Sequence, residues 1–184
     1  MALSSRLKYF EDAKLGRVFI GSTAVGGTAF PISTGTAATF GLWNTDPNKL
    51  AVLLRLNVGY TSGTIALGEI GLTNVSATSV ATGSNITAFT DGVLNTTIRN
   101  ARIGQGDASS MRFTPSAATV VGNTACYWTG TSIESASAGT GLFTMSHDFD
   151  GAVVVPYGQF VFVCGSVAQT GLFTMSLVWA EVDA

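Results

Sequence analysis

The sequence predicts an all-β fold, a jelly-roll-like antiparallel β-sandwich with a short N-terminal arm. Apolar residues alternate with polar ones at period two, and short strand-like runs follow one another closely along the chain. Glycine, asparagine, aspartate and serine separate these runs, and no convincing helical periodicity is found after residue 17. Many short strands with such turns are typical of sandwiches and jelly rolls.

The chain of 184 residues divides into an arm, residues 1–17, and one β domain, residues 18–184. Ser4 or Ser5 could cap a short helix that ends at Gly16, although an extended arm fits the pattern equally well. The arm is rich in charge for this sequence, and its apolar residues need a surface to pack against. We therefore interpret it as an appendage to the β domain.

The strand pattern is clearest in LAVLLRLNVGY, residues 50–60. Its even positions are all apolar or aromatic: Leu50, Val52, Leu54, Leu56, Val58 and Tyr60. Period two over eleven residues predicts one long, half-buried strand with a single apolar face toward the core.

The heptapeptide TGLFTMS occurs twice, at 140–146 and 170–176. Two copies are too few for a solenoid, so we interpret them as strands in equivalent core environments. The predicted core positions within and after the copies are Phe143, Met145, Phe173, Met175 and Trp179. Two further candidate strands, GAVVV and QFVFVCG, lie between the copies. If successive strands alternate strictly between the sheets, the two copies lie in opposite sheets and face each other across the core. The alternative to this interpretation as core strands is a duplicated ligand site.

Charged residues make up only 11% of the chain, against about 25% in an average soluble domain. So few surface charges favour a stable oligomer, because a monomer would be poorly protected from association; a Thr/Ser-rich monomer is the alternative. The net charge of −2 offers nothing to neutralise a phosphate backbone, so nucleic-acid binding is not expected. No signal peptide is recognised and no apolar run approaches the about 20 residues of a membrane helix, so no membrane association is expected.

The candidate chemical groups are few. The single histidine, His147, stands near Asp148 and Asp150, but no GxSxG motif supplies a nucleophile, so we predict no enzyme, no catalytic residue and no cofactor. A polar turn is the favoured interpretation of this segment, and a calcium loop is the alternative.

Other residues could bind ligands but have commoner structural roles. Three arginines could bind a carboxylate or phosphate, although interface salt bridges are favoured: Arg99, Arg102 and Arg112. Three tryptophans could stack on sugars, although packing is the usual role of such residues in strands: Trp43, Trp128 and Trp179. Cys126 and Cys164 are expected to be free buried thiols, and they could pair only if their strands are neighbours.

Two parts of the chain resemble a family of small β-sandwich structural proteins of tailed bacteriophages. The first is residues 38–64, where an Asn-Pro turn, Asn44 to Lys49, leads into the Leu/Val strand. The second is residues 151–166 with residues 176–184, where the family's Trp-Glu-Glu-Val ending reads Trp-Ala-Glu-Val from Trp179.

The resemblance implies a virion component with a jelly-roll body, trimeric and without enzymatic activity. Our expectation is a decoration or cement protein on the phage head, assembled in the host cytoplasm, that binds the major capsid protein or other virion proteins. The arm would supply the contacts: Arg6, Leu7, Lys8, Tyr9 and Phe10. The alternatives are a carbohydrate- or receptor-binding module of a tail or fibre, and a small coat protein.

Overall fold

A computed structural model describes residues 9–76, 86–89, 98–104, 109–115, 118–121, 124–133 and 143–184. Within these ranges the chain forms one short helix, α1 (Phe10–Lys14), and fourteen strands. The strands are β1 (Val18–Ser22), β2 (Ala37–Ala38), β3 (Gly41–Asn44), β4 (Lys49–Ser62), β5 (Gly68–Ser76), β6 (Ile86–Phe89), β7 (Ile98–Asn100), β8 (Met111–Thr114), β9 (Ala118–Val120), β10 (Thr124–Ile133), β11 (Thr144–Asp148), β12 (Val154–Val155), β13 (Gln159–Gly165) and β14 (Leu172–Asp183). No helix in the described part is long and apolar enough to cross a membrane.

The strands form two principal antiparallel sheets that pack as a sandwich. Sheet A has the order β11-β4-β14-β1-β7, with β12 also paired to β4, and sheet B has the order β10-β5-β13-β3-β8. A small third sheet, β2-β9-β6, covers the outer face of sheet B, where Trp43 and Phe162 pack with Ala38 and Val120.

The strand order is that of a jelly roll. Eight strands form two four-stranded sets, β1-β14-β4-β11 in sheet A and β3-β13-β5-β10 in sheet B. Along the chain these strands alternate between the sheets, except that β5 and β10 are neighbours in sheet B. This arrangement is the double Greek key of jelly rolls. The predicted all-β, jelly-roll-like sandwich is therefore confirmed.

The core between the sheets is built around aromatic side chains. Trp179 is fully buried and its ring lies 6.1 Å from that of Phe19 and 6.0 Å from that of Phe113, which in turn packs edge-on against Phe40. Offset and edge-to-face aromatic pairs of this kind add to the energy of area burial. Met145, Phe173 and Met175 are buried in the same core, and Phe143 packs against it while partly exposed.

The single apolar face predicted for residues 50–60 is not what the structure shows. Four residues of β4 face the core between the sheets: Ala51, Leu53, Leu56 and Val58. Val52 and Leu54 instead contact a separate cluster with Val18 and Ala180, and Leu50 is only partly buried. The apolar side of the strand therefore changes between Leu53 and Leu56.

A β-bulge explains this change of face. Along β4 and β14, Arg55 pairs with Val178 and Leu53 pairs with Trp179, so Leu54 has no residue opposite it. One extra residue reverses the direction of every side chain beyond it. Alternation in the sequence does not reveal such a shift, because Leu53 and Leu54 are both apolar.

The two heptapeptide copies lie in the same sheet, so the predicted placement in opposite sheets is wrong. Residues 144–146 in β11 and 174–176 in β14 pair with β4 on its two sides. The segment GAVVV does not cross to sheet B, because β12 only extends the edge of sheet A beside β4. Between the two copies, β13 is the one described strand that lies in sheet B. The chain therefore passes to sheet B and back, and the second copy is again in sheet A. Residues 140–142 lie outside the described part.

Candidate interaction site

Helix α1 packs on the outer face of sheet A, where the bulge of β4 has turned an apolar side chain outward. Tyr9 and Ala13 contact the cluster formed by Val18, Leu54 and Ala180. These contacts partly cover one side of α1, which has five residues and would not be stable alone. The outer face of the sandwich therefore provides the surface that the arm requires.

Polar contacts tie the end of α1 to the sandwich. Arg17 Nη2 lies 2.6 Å from Asp12 Oδ1. The side chain of Asn100 donates from Nδ2 to the carbonyl oxygen of Gly16 at 2.7 Å, and Arg102 Nη1 donates to the carbonyl oxygen of Lys14 at 3.0 Å. The last turn of α1 is thus held by β7 and the residues that follow it.

The start of α1 is held near the turn after β11. The hydroxyl of Tyr9 donates to Asp150 Oδ1 at 3.5 Å, and partial burial raises the pKa of Tyr9, with the charge of Asp148 adding to the shift. Asp148 accepts two hydrogen bonds from Arg55, at 2.7 and 3.1 Å, and the bond to Asp148 raises the pKa of the Arg55 guanidinium.

Three apolar side chains remain exposed around the docked helix. Phe10 is 50% exposed, Leu15 is 61% exposed and Ile103, in the turn that holds Lys14, is 99% exposed. We call these residues the helix patch. Of the predicted arm contacts, Tyr9 faces the sandwich and Phe10 faces outward, whereas Arg6, Leu7 and Lys8 lie outside the described residues.

The segment around the single histidine connects the two sheets through side-chain contacts. His147 Nε2 is 3.0 Å from the hydroxyl of Tyr127, and its ring packs against Phe149 at 5.0 Å. Asp148 and Asp150 are engaged with Arg55 and Tyr9, on the side of α1. In the described ranges no three His, Cys, Asp or Glu side chains are grouped as metal ligands. These side-chain contacts join β10 to β11. The predicted polar turn is only partly right, because His147 and Asp148 belong to β11 and the turn lies at Asp150 and Gly151.

The three arginines do not form one anion site. Arg102 binds the end of α1, and Arg99 lies in β7 opposite Ile20, at the edge of sheet A. Arg112 lies in sheet B, where its guanidinium carbon is 5.3 Å from the ring of Trp43.

The tryptophans and Cys164 are distributed between the core and the surface. Trp43 and Trp179 are buried, whereas Trp128 is 39% exposed and lies over Gly71. Cys164 is a fully buried thiol outside any disulfide, and its sulfur accepts a hydrogen bond from the hydroxyl of Thr73. The side chain of Cys126 lies outside the described part.

A cleft opens between the edges of the two sheets, on the β10 and β12 side of the sandwich. Its volume is about 410 Å³, and its lining comes from both sheets: Asn74, Tyr127, Ala152, Val153, Val154, Val155, Pro156, Gln159 and Val161. The sequence did not identify this cleft, because Asn74 and Gln159 are ordinary strand residues until the register brings them together. The only signal was an amide at an otherwise apolar, inward-facing position of β5.

Comparison of the chain with family models, with curated proteins and with solved structures found no match.

Proposed function

We propose that this protein is a non-enzymatic structural protein of a bacteriophage virion, which binds the capsid as a decoration protein. The observation that carries the proposal is the helix patch. A short helix is anchored to the sandwich through Tyr9 and Ala13, while Phe10 and Leu15 point away from it. A fixed helix with exposed apolar side chains is suited to bind a groove on a larger surface.

The polar side chains of the described part support a structural role. Glu181 is buried and accepts hydrogen bonds from Ser109, from the amide of Ser110 and from Trp179. Asp148 is paired with Arg55, and His147 with Tyr127. These contacts join strands or hold loops. We therefore interpret these titratable side chains as structural and not as catalytic.

The composition supports close packing between copies. The chain has few charged residues, and the outer face of sheet A carries Thr, Ser and Asn at Asn57, Thr144, Ser146, Thr174 and Ser176. Such surfaces allow subunits to associate without desolvating many charges. We propose a homotrimer whose sandwich makes the contacts between subunits, which leaves the helix patch free to bind the shell.

The test is co-sedimentation of the protein with assembled capsids, combined with its mass by light scattering. The informative variant is Phe10→Ser with Leu15→Ser, which removes both apolar side chains of α1 from the helix patch. We expect this variant to stay folded and trimeric and to bind capsids at least about tenfold more weakly, since two apolar side chains lose their burial.

Val25→Ser is the matched control, because Val25 is 95% exposed and lies in the loop after β1, apart from α1. We expect it to bind capsids like the unmodified protein. A protein that never sediments with capsids would contradict the proposal, as would a double variant that binds with full affinity. A monomer at all concentrations would contradict the trimer.

A further inference from the structure

The cleft between the sheets has a polar wall and an apolar wall. The polar wall consists of side chains from β5, β10 and β13: Asn74, Tyr127 and Gln159. The apolar wall is the segment that contains β12, with Val153, Val155 and Pro156. A volume of about 410 Å³ with mixed walls is within the range of small-molecule sites.

Asn74 occupies a position that faces the space between the sheets. It pairs with Val161, which is part of the main core, and paired residues of neighbouring strands point to the same face. Leu72, two residues earlier on the same face of β5, is fully apolar and buried. An amide at such a position requires polar partners.

The amide of Asn74 is only partly satisfied by the protein. Its Nδ2 donates to Gln159 Oε1 at 3.1 Å, and Gln159 Nε2 donates to Ser76 Oγ at 2.8 Å. Within the described ranges Asn74 Oδ1 accepts no side-chain hydrogen bond, and no buried polar side-chain atom there lacks a partner. Asn74 Oδ1 is therefore an acceptor held in place by Gln159 and open to the solvent of the cleft.

The side chains that line the cleft carry no charge. The acidic residues nearest in the sequence to the apolar wall are Asp148 and Asp150. Asp148 accepts a hydrogen bond from Arg55, and Asp150 accepts one from Tyr9. A charged ligand would lose its hydration here without gaining an ion pair. The lining therefore favours a neutral ligand with hydroxyl groups on one side and an apolar surface on the other.

We propose that the cleft binds a neutral sugar residue. A pyranose ring has C–H groups that pack on apolar side chains, here Val153, Val155 and Pro156, and hydroxyl groups that meet the polar wall. Asn74 Oδ1 accepts from one hydroxyl, and the hydroxyl of Tyr127, already 3.0 Å from His147 Nε2, provides a second oriented partner. This inference does not depend on the proposed virion function.

The test is a titration of the isolated, isotope-labelled protein with neutral methyl glycosides, followed by amide NMR shifts. The panel contains methyl glucoside, methyl galactoside, methyl mannoside and methyl N-acetylglucosaminide, with methyl glucuronide as the charged counterpart. We expect saturable shifts of the side-chain amides of Asn74 and Gln159 with at least one neutral glycoside, and weaker binding of the glucuronide.

Two variants locate the site. Asn74→Ala should weaken binding about tenfold, because a ligand hydroxyl loses its acceptor. Val153→Trp should abolish binding by filling the cleft, since Val153 lines it, faces the space between the sheets and is only partly buried. Asn57→Ala is the control, because Asn57 is also a partly buried amide, bonded to Ser176 in sheet A, outside the cleft lining.

Unchanged affinity in Val153→Trp would overturn the proposal, as would the absence of saturable shifts with every neutral glycoside. Tighter binding of the glucuronide would overturn the neutral ligand class. No capsid is present in this experiment, so its failure leaves the virion function untouched.

Discussion

Met145 and Met175 lie on opposite sides of Val58, each paired with it across one side of β4. Met175 is in β14, which has neighbours on both sides, whereas Met145 is in the edge strand β11. We expect Met175→Ala to lower the free energy of unfolding by about 3–5 kcal/mol and Met145→Ala by about 2–3 kcal/mol, because the edge relaxes more easily around a cavity.

Urea unfolding measures both values, with Thr144→Ala as the control on the exposed face of β11. That control should change the stability by less than about 0.5 kcal/mol. An equal loss of unfolding free energy in the two methionine variants would show that the position of the strand in the sheet does not determine the loss.

The buried carboxylate of Glu181 fastens the residues before β8 to the end of β14. It accepts hydrogen bonds from Ser109 Oγ, from the amide of Ser110 and from Trp179 Nε1. We expect Glu181→Ala to cost about 1–3 kcal/mol of stability, because three donors lose their acceptor in a buried place. Thermal unfolding measures the loss. Glu11→Ala, on the exposed side of α1, should have almost no effect, and a comparable loss there would refute this account.

Gly41 has no room for a side chain. A Cβ atom there would lie 2.5 Å from the carbonyl oxygen of Val161 and 2.7 Å from atoms of Phe160 and Phe162. We expect Gly41→Ala to destabilise the protein by about 1–3 kcal/mol or more, since backbone must move. Gly26→Ala is the matched control, because nothing lies within 4 Å of its added Cβ. Circular dichroism during urea unfolding compares them, and equal stability of the two variants would contradict the packing around Gly41.

The exposed ion pair between Lys49 and Asp183 makes the stability of the protein depend weakly on pH in the acidic range. The hydrogen bond from Lys49 Nζ, 2.6 Å long, lowers the pKa of Asp183 from its ordinary value of 3.8. Because the folded pKa is the lower one, the contribution is present above pH 3.8 and is lost as the pH falls through the folded pKa. The difference in melting temperature between the protein and Asp183→Asn should therefore be larger at about pH 7 than at about pH 2. A difference that grows in acid would contradict this.

Periodicity was enough to predict the class of fold. The alternation of apolar residues and the glycine-rich turns are local features of the sequence, and they predicted a jelly-roll-like sandwich. The observed order of the strands is that of a jelly roll. The face of Leu54 could not be predicted, because a bulge depends on how β4 and β14 pair and not on the residues of β4 alone.

The candidate sites were less predictable for the same reason. A short helix and an extended arm fitted the sequence of residues 1–17 equally well, and within the described residues the arm has a helix at Phe10–Lys14. The residues that pack against the sandwich are Tyr9 and Ala13, whereas Phe10 is half exposed. The cleft depends on Asn74 and Gln159, which are 85 residues apart and meet only through the register of β5 and β13. Pairing between distant segments carries no mark in a single sequence.

The position of β14 has a consequence for biosynthesis. This strand lies in the middle of sheet A, where Val18 pairs with Ala180, and among the described strands the other neighbour of β1 is β7, which has three residues. On the ribosome, the first strand must therefore wait until β14 has left the exit tunnel before the sheet can close. During that interval the apolar faces of β1 and β4 lack the strand that lies between them, so the nascent chain is a candidate substrate for chaperones until β14 is inserted.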